Sequence, residues 1–205
     1  MTEASPGVTS LSPDMTRVKS GSVGLPHFFT HIRISGPDGA PAAPGEVGEI
    51  EVTGPNVTLG YHANPVANAA SFTADGWFRS GDLGYQDEDG YLFIAGREKD
   101  MIISGGENIY PAEVEALILE LPEITAAAVV AAPDERWGEV PWAVVTLRPG
   151  AQIPEDAVRE HLDGRLARYK LPKRVVIVDE LPRTALGKVR KVDLRRQIQD
   201  GVLGD

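Results

Sequence analysis

The chain reads as an α+β protein in two parts. Residues 1–98 form a small β-barrel-like subdomain, and residues 99–205 form a compact α+β domain with a short sheet flanked by helices. Three observations predict this. From Gly21 to about Gly96, short apolar runs are punctuated by glycine and proline, as in a series of short strands and turns. After Lys99, strand-like runs alternate with segments of helical spacing. Between them Arg97-Glu98-Lys99-Asp100 is a charged, unpatterned run, and the boundary falls there.

Residues 1 to about 20 carry Pro6, Gly7 and Pro13 with little periodicity, which predicts loop with one short helical turn. Ile32-Arg33-Ile34, Glu49-Ile50-Glu51-Val52 and Tyr91-Leu92-Phe93-Ile94-Ala95 alternate or cluster like strands, with Asp38-Gly39 and Asp89-Gly90 as tight turns. Ala63 to Phe72 reads as one intervening helix. In the second part, Met101-Ile102-Ile103 is a short strand. Pro111 to Leu119 is an amphipathic helix with proline at its start. Ile124–Ala132 and Val140–Leu147 are β-rich. Val158, Leu162 and Leu166 give Pro154–Leu166 helical spacing, Val175–Val178 is a last strand, and Val192–Ile198 a terminal helix.

The composition, 42% hydrophobic and 24% charged, is that of a globular protein. There is no apolar run of bilayer length and no secretory leader. The absence of cysteine excludes disulfides and thiolate metal sites and is compatible with a cytoplasmic setting. His27, His31, His62 and His161 show no metal-ligand spacing. The net charge of −10 is uneven. Arg165 to Arg196 holds eleven Lys/Arg against three Asp/Glu, a local +8 that leaves −18 on the remainder. A basic surface of this kind draws in polyanions such as nucleotides or CoA. No aromatic interleaving or recognisable module points to nucleic acid.

Four segments carry chemistry. Leu181-Pro182-Arg183-Thr184-Ala185-Leu186-Gly187-Lys188-Val189-Arg190-Lys191 presents one mobile cation behind a glycine, suited to an anion whose charge builds in a transition state. By itself, such a Gly-Lys pair is more often solvated surface. Trp77-Phe78-Arg79-Ser80-Gly81-Asp82-Leu83-Gly84 sets a carboxylate after a glycine where a loop would leave a strand. That carboxylate can accept two ribose hydroxyls, or simply hold a turn. Gly96-Arg97-Glu98-Lys99-Asp100-Met101-Ile102-Ile103-Ser104-Gly105-Gly106-Glu107-Asn108-Ile109-Tyr110-Pro111 runs from charged turn through strand and glycine loop into a helix. Gly48-Glu49-Ile50-Glu51-Val52-Thr53-Gly54, followed by Gly60-Tyr61, is an alternating strand closed by glycines.

In this order and spacing the segments resemble the AMP-forming acyl-CoA synthetase, peptide-synthetase adenylation-domain and luciferase superfamily. Met1-Thr2-Glu3 is similar to the tail of that family's Tyr-Gly-Met-Thr-Glu signature, so the resemblance covers essentially the whole chain. It implies the barrel subdomain that ends the family's large N-terminal domain, followed by its mobile C-terminal domain. It also implies the substrates and cofactors ATP, Mg²⁺, CoA and a carboxylic acid. Asp82 matches the ribose-binding aspartate, and Ser80 stands where many relatives carry threonine. Arg97 matches the arginine that holds ribose and phosphate. Thr2 and Glu3 match the pair that binds the α-phosphate and positions Mg²⁺; at a chain terminus both are expected to be frayed and idle. Lys188 matches the catalytic lysine of adenylation, and Lys99 the hinge of a domain swing. Ser104, Gly105, Gly106, Glu107 and Asn108 match the glycine loop that leaves a passage for the pantetheine arm. Tyr169-Lys170-Leu171-Pro172 matches a structural motif.

Two family features have no counterpart: the Ser/Thr/Gly-rich triphosphate loop and the aromatic residue that stacks on adenine. The resemblance therefore implies the C-terminal portion of an acid:CoA ligase, with the missing N-terminal domain as covalent partner and no activity of its own. Met1 reads equally as an internal methionine or the start of a short product. An adenylation domain loading a carrier protein and a non-catalytic nucleotide-binding module are the alternatives. Gly105-Gly106-Glu107-Asn108-Ile109-Tyr110-Pro111 resembles the CoA-ligase version of its motif. Ala4-Ser5-Pro6-Gly7-Val8, small and apolar, leans toward a fatty acid.

Overall fold

A computed structural model describes residues 1–203, and the chain divides into two compact units, Met1–Glu98 and the residues from Lys99 onward. The first unit is a curled antiparallel sheet of six strands: β1 (Thr9–Ser10), β2 (Ser22–Pro26), β3 (His31–Ser35), β4 (Gly48–Thr53), β5 (Phe78–Gln86) and β6 (Leu92–Arg97). Their order is β1-β2-β6-β5-β4-β3, with β1 and β3 at the two edges. Ile34, Ile50, Val52 and Leu92 form its core, which is the apolar half of the alternation seen in the sequence. Glu51 is buried as well, at 2% exposure, and Arg33 Nε meets its carboxylate at 2.5 Å. Arg33 also grips Asp75 at 2.7 Å and lies over the Trp77 ring, so the buried charge is fully partnered.

Helix α1 (Pro65–Ser71) starts on Asn64, whose Oδ1 accepts the Ala67 N–H, with Pro65 in the first turn. Both Asp-Gly pairs turn as expected: Gly39 and Gly90 take φ of 78° and 81°, and the carboxylates of Asp38, in the first pair, and Asp87, two residues before the second, accept nearby backbone N–H groups. The first twenty residues contain two short 3₁₀ turns, Thr2–Ala4 and Pro13–Met15. Lys19 ties this stretch to the β5–β6 turn through Asp87 and Asp89.

The second unit contains β7 (Ile102–Ser104), β8 (Glu107–Ile109), α2 (Pro111–Ile118), β9 (Ile124–Asp134), β10 (Gly138–Leu147), α3 (Glu155–Leu162), β11 (Arg174–Ile177) and α4 (Lys191–Gln199). Strand β10 is central. It pairs with β9 antiparallel along its length, with β11 parallel, and with β7 at Gly138–Ser104. Both faces of this sheet are covered. Val129, Val145 and Val175 pack with Val114, Ile118, Val158 and Leu162 of α2 and α3, while Ala128, Val130 and Val144 pack with Leu194 and Ile198 of α4. Double burial is why β9 and β10 read as continuous apolar runs rather than alternating ones.

Three expectations need correcting. Asp82 lies inside β5, not in a loop leaving a strand. Glu107 and Asn108 belong to β8, so the glycine loop contracts to Gly105-Gly106. Helix α3 stops at Leu162, four residues before Leu166, because Asp163 is extended and Gly164 takes a φ of 74°. Among the described residues no helix is long and apolar enough to cross a membrane.

Candidate functional site

The register of β5 against β4 creates the first site. Arg79 stands opposite Glu51 and Leu83 opposite Glu49, so Ser80, Gly81 and Asp82 together face Ile50 alone. This bulge is possible because Gly81 adopts φ 67°. Its crest is tied down twice: Asp82 N–H donates to Ser80 Oγ at 3.0 Å, and Gly81 N–H donates to Glu49 Oε1 at 3.4 Å. Burial pushes the Glu49 carboxyl up, and the nearby Glu98 charge adds to this while the Gly81 N–H opposes it.

The bulge brings Asp82 directly across from Arg97 on β6, with Arg97 Nε 2.7 Å from Asp82 Oδ1. Beside them opens a cleft of about 430 Å³ lined by Glu3, Glu49, Tyr61, Ser80, Gly81 and Arg97. Thr2 and Glu3 are not frayed, contrary to expectation. They lie in the Thr2–Ala4 turn with Ala4 fully buried, Thr58 N–H donating to Glu3 O at 2.7 Å and Tyr61 Oη donating to Glu3 Oε1 at 3.0 Å. Thr2 itself is not part of the cleft wall.

In the second unit β7 and β8 are joined by Gly105-Gly106, with φ of 59° and 91°; a two-residue hairpin turn of this kind needs positive φ at both positions. Gly105 N–H donates to Trp137 O at 2.9 Å, and the indole lies so close that a Cβ on Gly105 would stand 2.7 Å from Trp137 Cε3. A cleft of about 760 Å³ opens here, with Ser104, Gly105, Glu107 and Trp137 on one side and Arg159 and Arg168 among its other walls. Neither arginine has an ion-pair partner among the described residues, whereas Lys173, also in the wall, is paired with Asp134.

Lys188 lies elsewhere on this unit. Arg183 and Val189 bridge, Thr184 N–H donates to Lys188 O, and Gly187 turns the chain with φ 81°. The loop is held rigidly at its base while the Lys188 side chain is exposed and has no ion-pair partner among the described residues. Its basic neighbours are largely engaged, Lys191 with Glu115, Arg190 and Arg196 with Asp193, and Arg195 with Asp100. Lys99 sits in the 3₁₀ turn Glu98–Asp100, and its carbonyl accepts a hydrogen bond from Arg195 of α4 at 3.2 Å.

The structure thus gathers Glu3 and Arg97 in one cleft, with Asp82 held to Arg97, and Ser104, Gly105 and Glu107 in another. Gly106 and Asn108 project outside the second cleft's wall. Sequence reasoning gave no role to Glu49, Tyr61, Trp137, Arg159 or Arg168. Gly60-Tyr61, Glu49 in its strand motif and Arg168 in the basic Arg165–Arg196 run were at least visible within segments; Trp137 and Arg159 had no signal, and the glycine that Trp137 covers is 32 residues away.

Residues 1–62 match the model of the AMP-binding enzyme family, and residues 113–188 match that of the AMP-binding enzyme C-terminal domain. A feruloyl-CoA synthase of an Amycolatopsis species is 51% identical over 197 residues, spanning 96% of this chain and 40% of that protein. An indoleacetate–CoA ligase of Aromatoleum aromaticum is 52% identical over 197 residues, 96% of this chain and 38% of the relative. The o-succinylbenzoate CoA synthetase of Bacillus subtilis, solved in complex with its acyl-adenylate intermediate, superposes with a TM-score of 0.91 at 42% identity. That match covers 100% of this chain and 41% of the synthetase, which has also been solved with ATP and a magnesium ion. The chain therefore spans about 40% of the length of the relatives it matches.

Proposed function

Because this chain belongs to the AMP-binding enzyme family, we propose that it supplies the C-terminal part of an AMP-forming acid:CoA ligase. In that reaction a carboxylate displaces pyrophosphate from ATP to give an acyl-adenylate, and the CoA thiol then displaces AMP. One observation carries the reading. The second unit bears two separate surfaces, an exposed Lys188 with no ion-pair partner among the described residues on a braced loop, and a side-chain-free Gly105-Gly106 turn at a cleft edge.

Lys188 bridges carboxylate and phosphate oxygens and offsets the charge that grows as the acid oxygen attacks phosphorus. Asp82 accepts the ribose hydroxyls, with Arg97 fixing its carboxylate and facing the phosphate. Thr2, in the turn that carries Glu3 but outside the cleft wall, is read as the α-phosphate contact. Ser104 to Asn108 form the approach for the pantetheine arm, beside the cleft that Ser104, Gly105 and Glu107 help to line. Lys99 is the pivot about which residues 99–205, the mobile domain, exchange these surfaces at the end of the large domain formed by residues 1–98. The reading goes with a cytoplasmic setting, where ATP and CoA are at hand.

The residues also fit a magnesium ion. Glu3 offers one carboxylate at the cleft wall, and no cluster of three acidic or histidine ligands exists among the described residues. That suits an ion held by one carboxylate, water and substrate phosphates. When bound, the ion neutralises phosphate charge; Glu3 orients it.

The acid itself is read as aromatic. The relatives are named for feruloyl, indoleacetate and succinylbenzoate groups, all of which carry an aromatic ring, and these names give the fatty-acid lean of Ala4–Val8 no support. The decisive experiment separates the half-reactions in the full-length protein. Lys188→Ala should slow adenylation by about 10²–10³-fold and spare thioester formation from supplied acyl-adenylate. Equal loss in both steps would sink the assignment.

A further inference from the structure

Tyr61 is held more firmly than its place in a loop requires. Asn68 on α1 accepts the Tyr61 N–H at 2.7 Å and donates to the Tyr61 carbonyl at 3.0 Å, so one side-chain amide satisfies both of its main-chain groups. Gly60, at φ 138°, leaves no room for a side chain: a Cβ there would stand 2.9 Å from Asn68 Oδ1. Capping by Asn64 anchors the start of α1. At the other end of the residue, the phenol reaches 3.0 Å from Glu3 Oε1 in the wall of the cleft. Glu3 is meanwhile fixed through its main chain by Thr58 N–H. Its second carboxylate oxygen has no partner among the described residues.

We propose that Tyr61 is a positioning residue for the Glu3 carboxylate, engaging Oε1 and leaving Oε2 as the oxygen open to a hydrated magnesium ion. The inference rests on the ligase reading and on Glu3 as the carboxylate that orients the ion. A carboxylate on a flexible side chain loses rotamer freedom when it binds a cation, and a hydrogen bond made beforehand removes part of that cost. Magnesium, which demands near-ideal octahedral geometry, gains more from this than a larger ion does. The line of support then runs from α1 through Asn68 and Tyr61 to Glu3.

Tyr61→Phe removes one oxygen and keeps the ring. In the full-length enzyme the magnesium concentration for half-maximal adenylation should rise about three- to tenfold, the worth of one hydrogen bond to a charged group. Saturating magnesium should restore the rate, and thioester formation from acyl-adenylate should be unchanged. A merely structural lesion lowers both half-reactions at every magnesium concentration. A second measurement reads binding instead of turnover: with the acid omitted, the magnesium concentration that half-saturates ATP binding to the full-length enzyme should rise by the same factor in Tyr61→Phe. Unaltered magnesium dependence of either the rate or ATP binding in Tyr61→Phe, or damage to both half-reactions that excess magnesium does not relieve, overturns the proposal. None of these outcomes bears on Lys188, whose test stands or falls separately.

Discussion

Gly105 and Gly106 are adjacent, both with positive φ, yet only Gly105 lies under an indole. Strain from the left-handed conformation costs about 1 kcal/mol at either position. A Cβ 2.7 Å from Trp137 adds overpacking of about 1–3 kcal/mol at Gly105 alone. Chemical denaturation of the second unit should therefore show Gly105→Ala clearly less stable than Gly106→Ala; equal losses would mean that the indole moves aside freely. At the other site, Asp82→Asn keeps the shape but removes the charge opposite Arg97. In the full-length protein it should raise the KM for ATP several-fold with a smaller effect on kcat, since the ribose is bound similarly in ground and transition states. A loss confined to kcat would contradict a ribose role. Asp82 and Arg97 were legible one by one as motif residues. Their pairing was not, because it depends on the strand register of β5 and β6.

At the scale of elements, apolar runs were legible even when short, as at β3, β7 and β11, whereas polar or interrupted strands were not. Helices α2 and α4, and strands β4, β9 and β10, carry enough apolar repeats to declare themselves. Strand β5 does not, because placing three residues opposite one at Ser80–Asp82 breaks its alternation of faces. Strand β8 has only three residues, two of them polar, and exists because β7 pairs with it across the glycine turn. The β3–β4–β5 sheet carries a test of its own. Arg33, through its hydrogen bonds to Asp75, holds that carboxyl at about 2 against an ordinary 3.8. The unfolded chain takes up this proton first, so the pair's stabilisation is complete above about pH 4 and fades as pH falls toward 2. Urea titrations should show Asp75→Asn less stable than wild type at pH 5, with the gap narrowing below pH 4 and closing only as pH falls through about 2. A gap independent of pH would assign the effect to packing over Trp77 instead. Asn64→Ala, which removes the cap of α1, should cost about 1 kcal/mol in the same measurement.

For the whole molecule, the expectation is that the 205-residue chain does not form acyl-adenylate. No triphosphate loop occurs in its sequence, and backbone donors of that kind are what cradle a polyphosphate. Acid-dependent ATP–pyrophosphate exchange, measured with ferulate, indoleacetate, succinylbenzoate and fatty acids, should not exceed that of Lys188→Ala. In the full-length enzyme the aromatic acids should be the better substrates, and Lys99→Pro should spare adenylation while blocking thioester formation. Proline fixes φ near −65° and restricts the residue before it. A variant that completes acyl-CoA at the normal rate would show that Lys99 is not a pivot. The sequence by itself determined the α+β class, the family and the order of its motifs, because hydrophobic period and short local motifs are properties of neighbouring residues. Only the tertiary structure decided that Asp82 rides on a bulge facing Arg97, that Trp137 closes over Gly105, and that Tyr61 reaches Glu3 from 58 residues away. Each of these depends on register and on close packing between distant segments, and neither leaves a periodic trace along the chain.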